Sequence, residues 1–455
     1  MSLDFYPSPL DKKPNSLGLS QMLYQWLWYV ALNTPRLVVG HTDHKLLCVF
    51  LPFGHNSILG IHVYKYSTWK NNILLYTWIY YINVDNTTNP REEKGKQIAS
   101  ENKVYRISDH QYHVQSQTVS KRYDVIKVGD KWECNCPDHT YRNVCCKHIH
   151  AVEFSIKLRN EVRERNKVII EQIDCSTCIQ CKSTNIVRHG IRHNKYGDIQ
   201  RFSCKDCGKW FVFNIGFGRR HVSPKVITSA MQLYFSGESL RNVQQFLKLQ
   251  GVEIGHVTIY NWIKRYTNLM GKYLADITPQ VGDTWRADEL FVKVRGNMKY
   301  LYALMDDETR FWIAQLVSDN KYKDDISQML REGKEATGKK PEVFITDGAK
   351  NFQQAHMKEF RTNTRKDRTL HIRHIHFKHD MNNNKMERLN GEIRDREKVV
   401  RGIKKADSPL LQGSQIYHNY IRPHMGLNGK TPAEACGITV QGDDKWKTLI
   451  ERASL

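Results

Sequence analysis

Glutamate is missing altogether from the first 90 residues of this 455-residue chain. The same stretch carries little charge, six Lys and Arg against four Asp, yet holds 15 of the chain's 48 aromatic side chains, Trp26, Trp28, Trp69 and Trp78 among them. No apolar run is long enough to cross a bilayer. MLYQWLWYVAL and ILLYTWIYYINV are 11 and 12 residues long, against the roughly 18 to 20 that a spanning helix needs. The longer LLCVFLPFGHNSILGIHVY is interrupted by Pro52, Gly54, His55 and Asn56. No signal peptide of the usual pattern opens the chain, which argues against a secreted, disulfide-built protein. Internal repeats and low-complexity linkers are also absent, so a repeat array is excluded. Residues 1–91 therefore read as an accessory extension, or as upstream sequence joined by a misassigned start.

What the chain does have is positive charge. Lys and Arg number 69 against 47 Asp and Glu, a net +22 with pI about 9.4, and all but +2 of it lies after residue 90. Such an excess, spread through structured-looking sequence, implies a polyanionic partner, and double-stranded DNA is the expected one. The length exceeds what one hydrophobic core supports and implies several units. Most of the 11 cysteines fall in close pairs, a pattern of zinc ligands in a reducing cytoplasm. The expected placement is cytoplasmic and nucleoid-associated, with no membrane.

Two structural Zn²⁺ sites follow from spacing. In KWECNCPDHTYRNVCCKHIHAVEF, Cys134 and Cys136 lie two apart on a strand, and Cys146 and His148 two apart at a helix start. The four resemble a SWIM zinc finger, expected over 92–168. Cys145, His139 and His150 are close enough in sequence to exchange with these ligands. Next, Cys178-x-x-Cys181 and Cys204-x-x-Cys207 form two knuckles of a zinc ribbon over 172–218, with Cys175 as a competitor. Four thiolates leave no open position, so that zinc is structural. Arg188, His189, Arg192, His193 and Lys195 between the knuckles read either as phosphate contacts or as a merely solvated loop.

Residues 222–270 carry three short apolar periodicities: Ser223-Pro224 opens one, Gly237 ends it, Ser239 caps the next, and Ile259, Trp262, Ile263 and Tyr266 line a third. This predicts a helix-turn-helix whose last helix offers Thr258, Tyr260, Asn261 and Lys264 to a DNA groove.

From Thr284 the pattern turns to strands: TWRADELFVKVRG, KYLYALMDDETR and FWIAQLVSD, then a helix KDDISQMLREGKEAT, then the strand EVFITDGAKNF. Three antiparallel strands, a helix and a further strand give an α/β, ribonuclease-H-like mixed-sheet core, expected over 280–440. That fold uses carboxylates from its first strand, its fourth strand and a late helix. Asp288, Asp347 and Glu387 occupy those places. Asp288 and Glu289 face opposite ways on their strand, so one alone faces the site. Asp306 and Asp307 read as ordinary turn acids before Arg310.

RADE at Asp288, TDGAKNF at Asp347, NNNKMERLNGEIRDREKVVRG at Glu387 and the tail YHNYIRPHMGLNGKTPAEACGI resemble insertion-sequence DDE transposases, over roughly 170–440. The SWIM segment also resembles one that precedes such cores in archaeal relatives. The interval of 59 residues between the two aspartates is long for the family. The resemblance implies two Mg²⁺ or Mn²⁺ ions held by Asp288, Asp347 and Glu387, cleavage at element ends and strand transfer to target DNA. It also implies a DNA path lined by Arg388, Arg394, Arg396, Lys398 and Arg401, and a homo-oligomer assembled on DNA. The rival readings are a catalytically silent, transposase-derived regulator and a ribonuclease-H-type nuclease without strand transfer.

Overall fold

The structure is a computed structural model that describes residues 89–455 except 102, 174–175, 195–196, 219–221, 363–367, 374–383 and 402–407; before residue 89 it describes only the backbone of four strands. Two units form, Met1–Asn89 and Pro90–Leu455. In the first, β1 (Val39–Thr42), β2 (Leu46–Phe53), β3 (Ile58–Trp69) and β4 (Asn72–Asn83) make an antiparallel meander. Aromatic and β-branched residues suit such ribbons. The run MLYQWLWYVAL lies outside the described residues.

The second unit opens with α1 (Pro90–Ser100) and a four-stranded meander of β5 (Val104–Arg106), β6 (Gln111–Gln115), β7 (Arg122–Val128) and β8 (Lys131–Cys134). Helices α2 (Pro137–Arg142) and α3 (Lys147–Arg165) follow. Alternate strand residues Val104, Tyr112, Val114 and Val125 pack on Ile98 of α1 and on Ile149 and Val152 of α3. After β9 (Val168–Ile170), strands β10 (Ile186–Asn194), β11 (Gly197–Cys204) and β12 (Trp210–Val212) form an antiparallel ribbon.

Three helices come next: α4 (Pro224–Ser236), α5 (Leu240–Leu249) and α6 (His256–Ala275). The Ser239 hydroxyl accepts the Asn242 N–H and fixes the start of α5. Ile259, Trp262, Ile263 and Tyr266 all face inward on α6, as their i, i+3, i+4, i+7 spacing requires.

The remaining elements are β13 (Thr284–Val294), β14 (Asn297–Asp306), β15 (Trp312–Ser318), α7 (Lys323–Thr337), β16 (Val343–Thr346), α8 (Lys350–Glu359), β17 (Leu370–Arg373), α9 (Asn384–Val400), α10 (Pro409–Ile416), α11 (Pro432–Ala435), β18 (Ile438–Val440) and α12 (Lys445–Arg452). Their sheet runs β15-β14-β13-β16-β17, antiparallel across the first three and parallel from β13 to β17. This is the ribonuclease-H-like order expected from the sequence.

Alternation along β13 separates the two faces of this sheet. Trp285 packs edge-on against Phe360, just past α8, on the side that α7 and α8 cover. Thr284, Arg286 and Asp288 point the other way, toward α9 and the turn after β5. Ile107 of that turn is buried against Val343 and Ile345 of β16. The β5–β8 meander is thus docked on the core sheet itself.

The tail binds these parts together. Asn419 accepts the Trp312 N–H at 2.8 Å and donates to the Trp312 carbonyl at 3.0 Å. β18 pairs in parallel with β9, and the Trp446 indole donates to Gln232 of α4 at 2.9 Å. No helix among the described residues is long and apolar enough to cross a membrane.

Candidate active site and metal centres

The parallel register pairs Arg286 with Ile345. Two residues further on, Asp288 is still in β13 while Asp347 lies one residue past the end of β16, close enough for its charge to act on Asp288. Asp347 is exposed just past the end of β16, where its carboxylate accepts the Ala349 N–H at 3.1 Å. Gly348 follows with φ of +95°, a left-handed conformation that a side chain at that turn would resist.

Helix α9 lies over this point because Met386, Leu389 and Ile393 bury one stripe against the core. Asn390, on the same stripe, donates its amide to Asp288 Oδ2 at 2.8 Å. Glu387 stands one turn earlier, about 5 Å along the axis, and is exposed. The structure thus brings Asp347 and Asn390 to Asp288, and Glu387 follows from its place one turn before Asn390 on α9. The oxygens of Asp288, Asp347 and Glu387 are not among the described groups that converge to within 4.8 Å.

Burial, with the Asp347 carboxylate beside it, pushes the Asp288 carboxyl up to about 6, despite hydrogen bonds from the Glu289 N–H and Asn390. Glu289 points the opposite way and pairs with Lys321.

Asn390 joins the candidate site through its hydrogen bond to Asp288. Its Oδ1 is buried without a hydrogen-bond partner. An asparagine three residues after a glutamate on one helical face is the only signal it leaves in sequence.

Asp306 and Asp307 depart from the turn reading, since both are fully buried. Asp307 meets Arg106 of β5 at 2.5 Å, Arg286 of β13, and Lys385 of α9 at 3.2 Å. Burial opposes its charge, but these three cations hold it well below the usual carboxylate range. Lys385 also reaches Asp109 at 3.0 Å. The start of the Glu387 helix is thereby pinned to both the core and the meander.

Arg396 also differs from its expected place on a DNA path. It is 7% exposed, its guanidinium lies 4.5 Å over the Tyr234 ring, and it donates to the Glu238 carbonyl. It faces inward because it falls on the stripe of Leu389 and Ile393. Arg388, Arg394, Lys398 and Arg401 are exposed.

On α6, Thr258, Tyr260, Asn261 and Lys264 are exposed. On α5, Arg241, Gln245 and Lys248 share a second exposed polar face.

Two four-ligand clusters stand apart from the carboxylates. Cys134, Cys136, Cys146 and His148 are all buried, with ligand atoms within 4.8 Å of one another. His148 turns Nδ1 toward Cys134 and Cys146, at 3.9 and 3.8 Å. A hydrogen bond from Cys134 holds the Cys146 thiol far below its ordinary range, which favours the thiolate. Cys178, Cys181, Cys204 and Cys207 converge likewise, with Cys178–Cys207 at 3.7 Å and Cys181–Cys204 at 3.5 Å. These separations suit the ~2.3 Å bonds of tetrahedral Zn–thiolate. His139 turns instead to the Val144 carbonyl at 2.8 Å, and Cys175 lies outside the described residues. His189, between the ribbon knuckles, lies against the exposed Trp210 with ring centres 3.8 Å apart and planes tilted by 38°.

A family model described as a DDE domain matches residues 282–424. The chain is 25% identical over 143 residues to the transposase of the insertion sequence-like element IS431mec of Staphylococcus aureus, and equally to that of IS257 in transposon Tn4003 of the same species. Each match covers 30% of this chain and 62% of the relative. Among solved structures, the HTLV-2 integrase catalytic core domain in complex with magnesium (dimeric form) aligns at 12% identity and TM-score 0.25, over 34% of this chain and 94% of that one. The simian T-cell lymphotropic virus intasome with the PP2A regulatory subunit B56 gamma aligns at 15% identity and TM-score 0.25, over 34% and 55%. By the family match and its sheet order, the segment 282–424 is a DDE domain, similar in sequence to those of the insertion-sequence transposases named above.

Proposed function

We propose that this chain binds the ends of an insertion element in double-stranded DNA, cleaves them, and joins the freed 3′-ends to target DNA. The observation that supports this reading is the buried Asp288 carboxylate, which feels the charge of Asp347 and accepts a hydrogen bond from Asn390, one turn from Glu387 on α9. All-oxygen donors suit Mg²⁺ or Mn²⁺, and the unpartnered Asn390 Oδ1 adds another oxygen at the same place.

Asp288, Asp347 and Glu387 would hold two such ions, which when bound activate the attacking hydroxyl and stabilise the leaving oxygen in an in-line phosphoryl transfer. Asn390 orients the Asp288 carboxylate. Arg388, Arg394, Lys398 and Arg401 contact phosphates, which position DNA without reading its sequence. Thr258, Tyr260, Asn261 and Lys264 on α6 read a groove, with Arg241, Gln245 and Lys248 of α5 crossing the backbone. The Cys134, Cys136, Cys146 and His148 set and the Cys178, Cys181, Cys204 and Cys207 set each hold one structural Zn²⁺. Cleavage at two ends and joining at one target imply at least two copies of the chain on DNA.

The experiment is a cleavage and joining assay on duplex DNA carrying the inverted repeats that flank the gene, with Mg²⁺. Nicked ends and joined products support transposition. Cleavage without joining favours the nuclease reading, and binding without either favours the silent regulator.

A further inference from the structure

We propose that Cys145, His150 and Glu153 form a third metal site, an open one for Zn²⁺ or a similar thiophilic divalent ion. It lies back to back with the buried Cys134, Cys136, Cys146 and His148 set. The three ligand atoms lie within 4.8 Å of one another. Cys145 Sγ stands 3.9 Å from His150 Nδ1, and Glu153 Oε2 stands 3.5 Å from the same nitrogen. Those separations match the 3.5 to 3.9 Å between paired ligands of the two four-ligand clusters. Metal–ligand bonds of about 2.0 to 2.3 Å at tetrahedral angles need just such edges.

The local chain accounts for the second site. Cys146 caps α3, and His148 and His150 follow two residues apart on it, about 200° apart around the axis. One histidine therefore turns inward and the other outward. The adjacent thiols divide in the same way, Cys146 fully buried and Cys145 exposed. Glu153, three residues after His150, returns to the outer face one turn on. His150 sits as His148 does, with Nδ1 toward a thiol and Nε2 buried without a hydrogen-bond partner. Its position is fixed by α1, because Gly95 lies so close that a Cβ there would come within 2.7 Å of the His150 Cβ.

One thiolate, one imidazole and one carboxylate make a donor set for zinc rather than for Mg²⁺ or Ca²⁺. Cys145 gives up its thiol proton to solvent when the ion binds. Three protein ligands, two of them exposed, leave the fourth position to water, so this ion exchanges where the four-ligand ions do not.

The test compares metal content in the purified full chain after dialysis against a slight excess of Zn²⁺. Wild type should hold one more Zn²⁺ per chain than Cys145→Ser, His150→Ala or Glu153→Gln. Because the readout is a difference, it does not depend on how many ions the other clusters hold, nor on DNA cleavage. Glu153 is exposed on the helix, so its variant keeps the fold even where the other two do not. Maleimide labelling of Cys145 should slow at least tenfold on adding Zn²⁺ to wild type, and not in Glu153→Gln. Equal zinc in wild type and Glu153→Gln, with labelling indifferent to Zn²⁺, overturns the proposal. A loss confined to Cys145→Ser also overturns it, because Cys145 would then belong to the neighbouring four-ligand set.

Discussion

Replacing Asp288 by Asn should stabilise the metal-free protein while removing its response to Mg²⁺. The Asp288 carboxyl titrates at about 6 in the fold against an ordinary 3.8, a difference worth ~3 kcal/mol against the ionised form at 1.36 kcal/mol per pH unit. The folded value is the higher one. This group therefore favours the fold below pH 4, and that contribution is lost as pH rises through about 6. A neutral carboxamide loses nothing over that range. Its oxygen can still accept the Glu289 N–H, and a flipped Asn390 amide can offer its unpartnered Oδ1 to the new NH₂ group. Discounting for solvent at the partly open site leaves an expected gain of ~1 to 2 kcal/mol at pH 7.5 and none at pH 4. Urea unfolding of wild type and Asp288→Asn at both pH values, with and without Mg²⁺, measures it. Mg²⁺ should stabilise wild type alone. A variant less stable than wild type at pH 7.5 would show that burial does not penalise the Asp288 charge, and one that Mg²⁺ stabilises equally would show that Asp288 does not hold the ion.

Arg106→Met should cost ~3 to 5 kcal/mol, because it removes one of three cations from the fully buried Asp307; urea unfolding reads the loss, and a loss under ~1 kcal/mol contradicts the network. Arg396→Ala should lower stability by ~1 to 2 kcal/mol through the lost Tyr234 stacking and Glu238 hydrogen bond. Lys398→Ala should leave stability unchanged and flatten the salt dependence of DNA affinity by about one charge. Cys136→Ser and Cys204→Ser should each lose one Zn²⁺ by metal analysis, and a variant that retains its zinc places that cysteine outside the ligand set.

The parts of this molecule differ in how far their sequence reveals them. The strand-strand-strand-helix-strand order of the core is local patterning, and α7 spans the same residues that the sequence marks as helix. The spacings of Cys134 to His148 and of Cys178 to Cys207 are local too. The approach of Asp347 to Asp288 is not, since it joins residues 59 apart through the pairing of β13 with β16. Asp307 looks like a turn acid because its partners Arg106 and Lys385 stand 201 and 78 residues away. Arg396 looks like its neighbours on a basic helix until the buried stripe of that helix is known. The Lys385 bridge from Asp109 to Asp307 could be read from neither segment alone.

A change of metal preference at Asp347 reports on the catalytic ions themselves, because this exposed carboxylate can be replaced without disturbing a buried group. In the end-cleavage assay, Asp347→Cys should be inactive with Mg²⁺ and regain activity with Mn²⁺, since a thiolate accepts the softer ion. Asp347→Ala should be inactive with both ions while still binding the ends. Cleavage by Asp347→Ala in Mg²⁺ within a few fold of wild type would show that this carboxylate holds no catalytic ion.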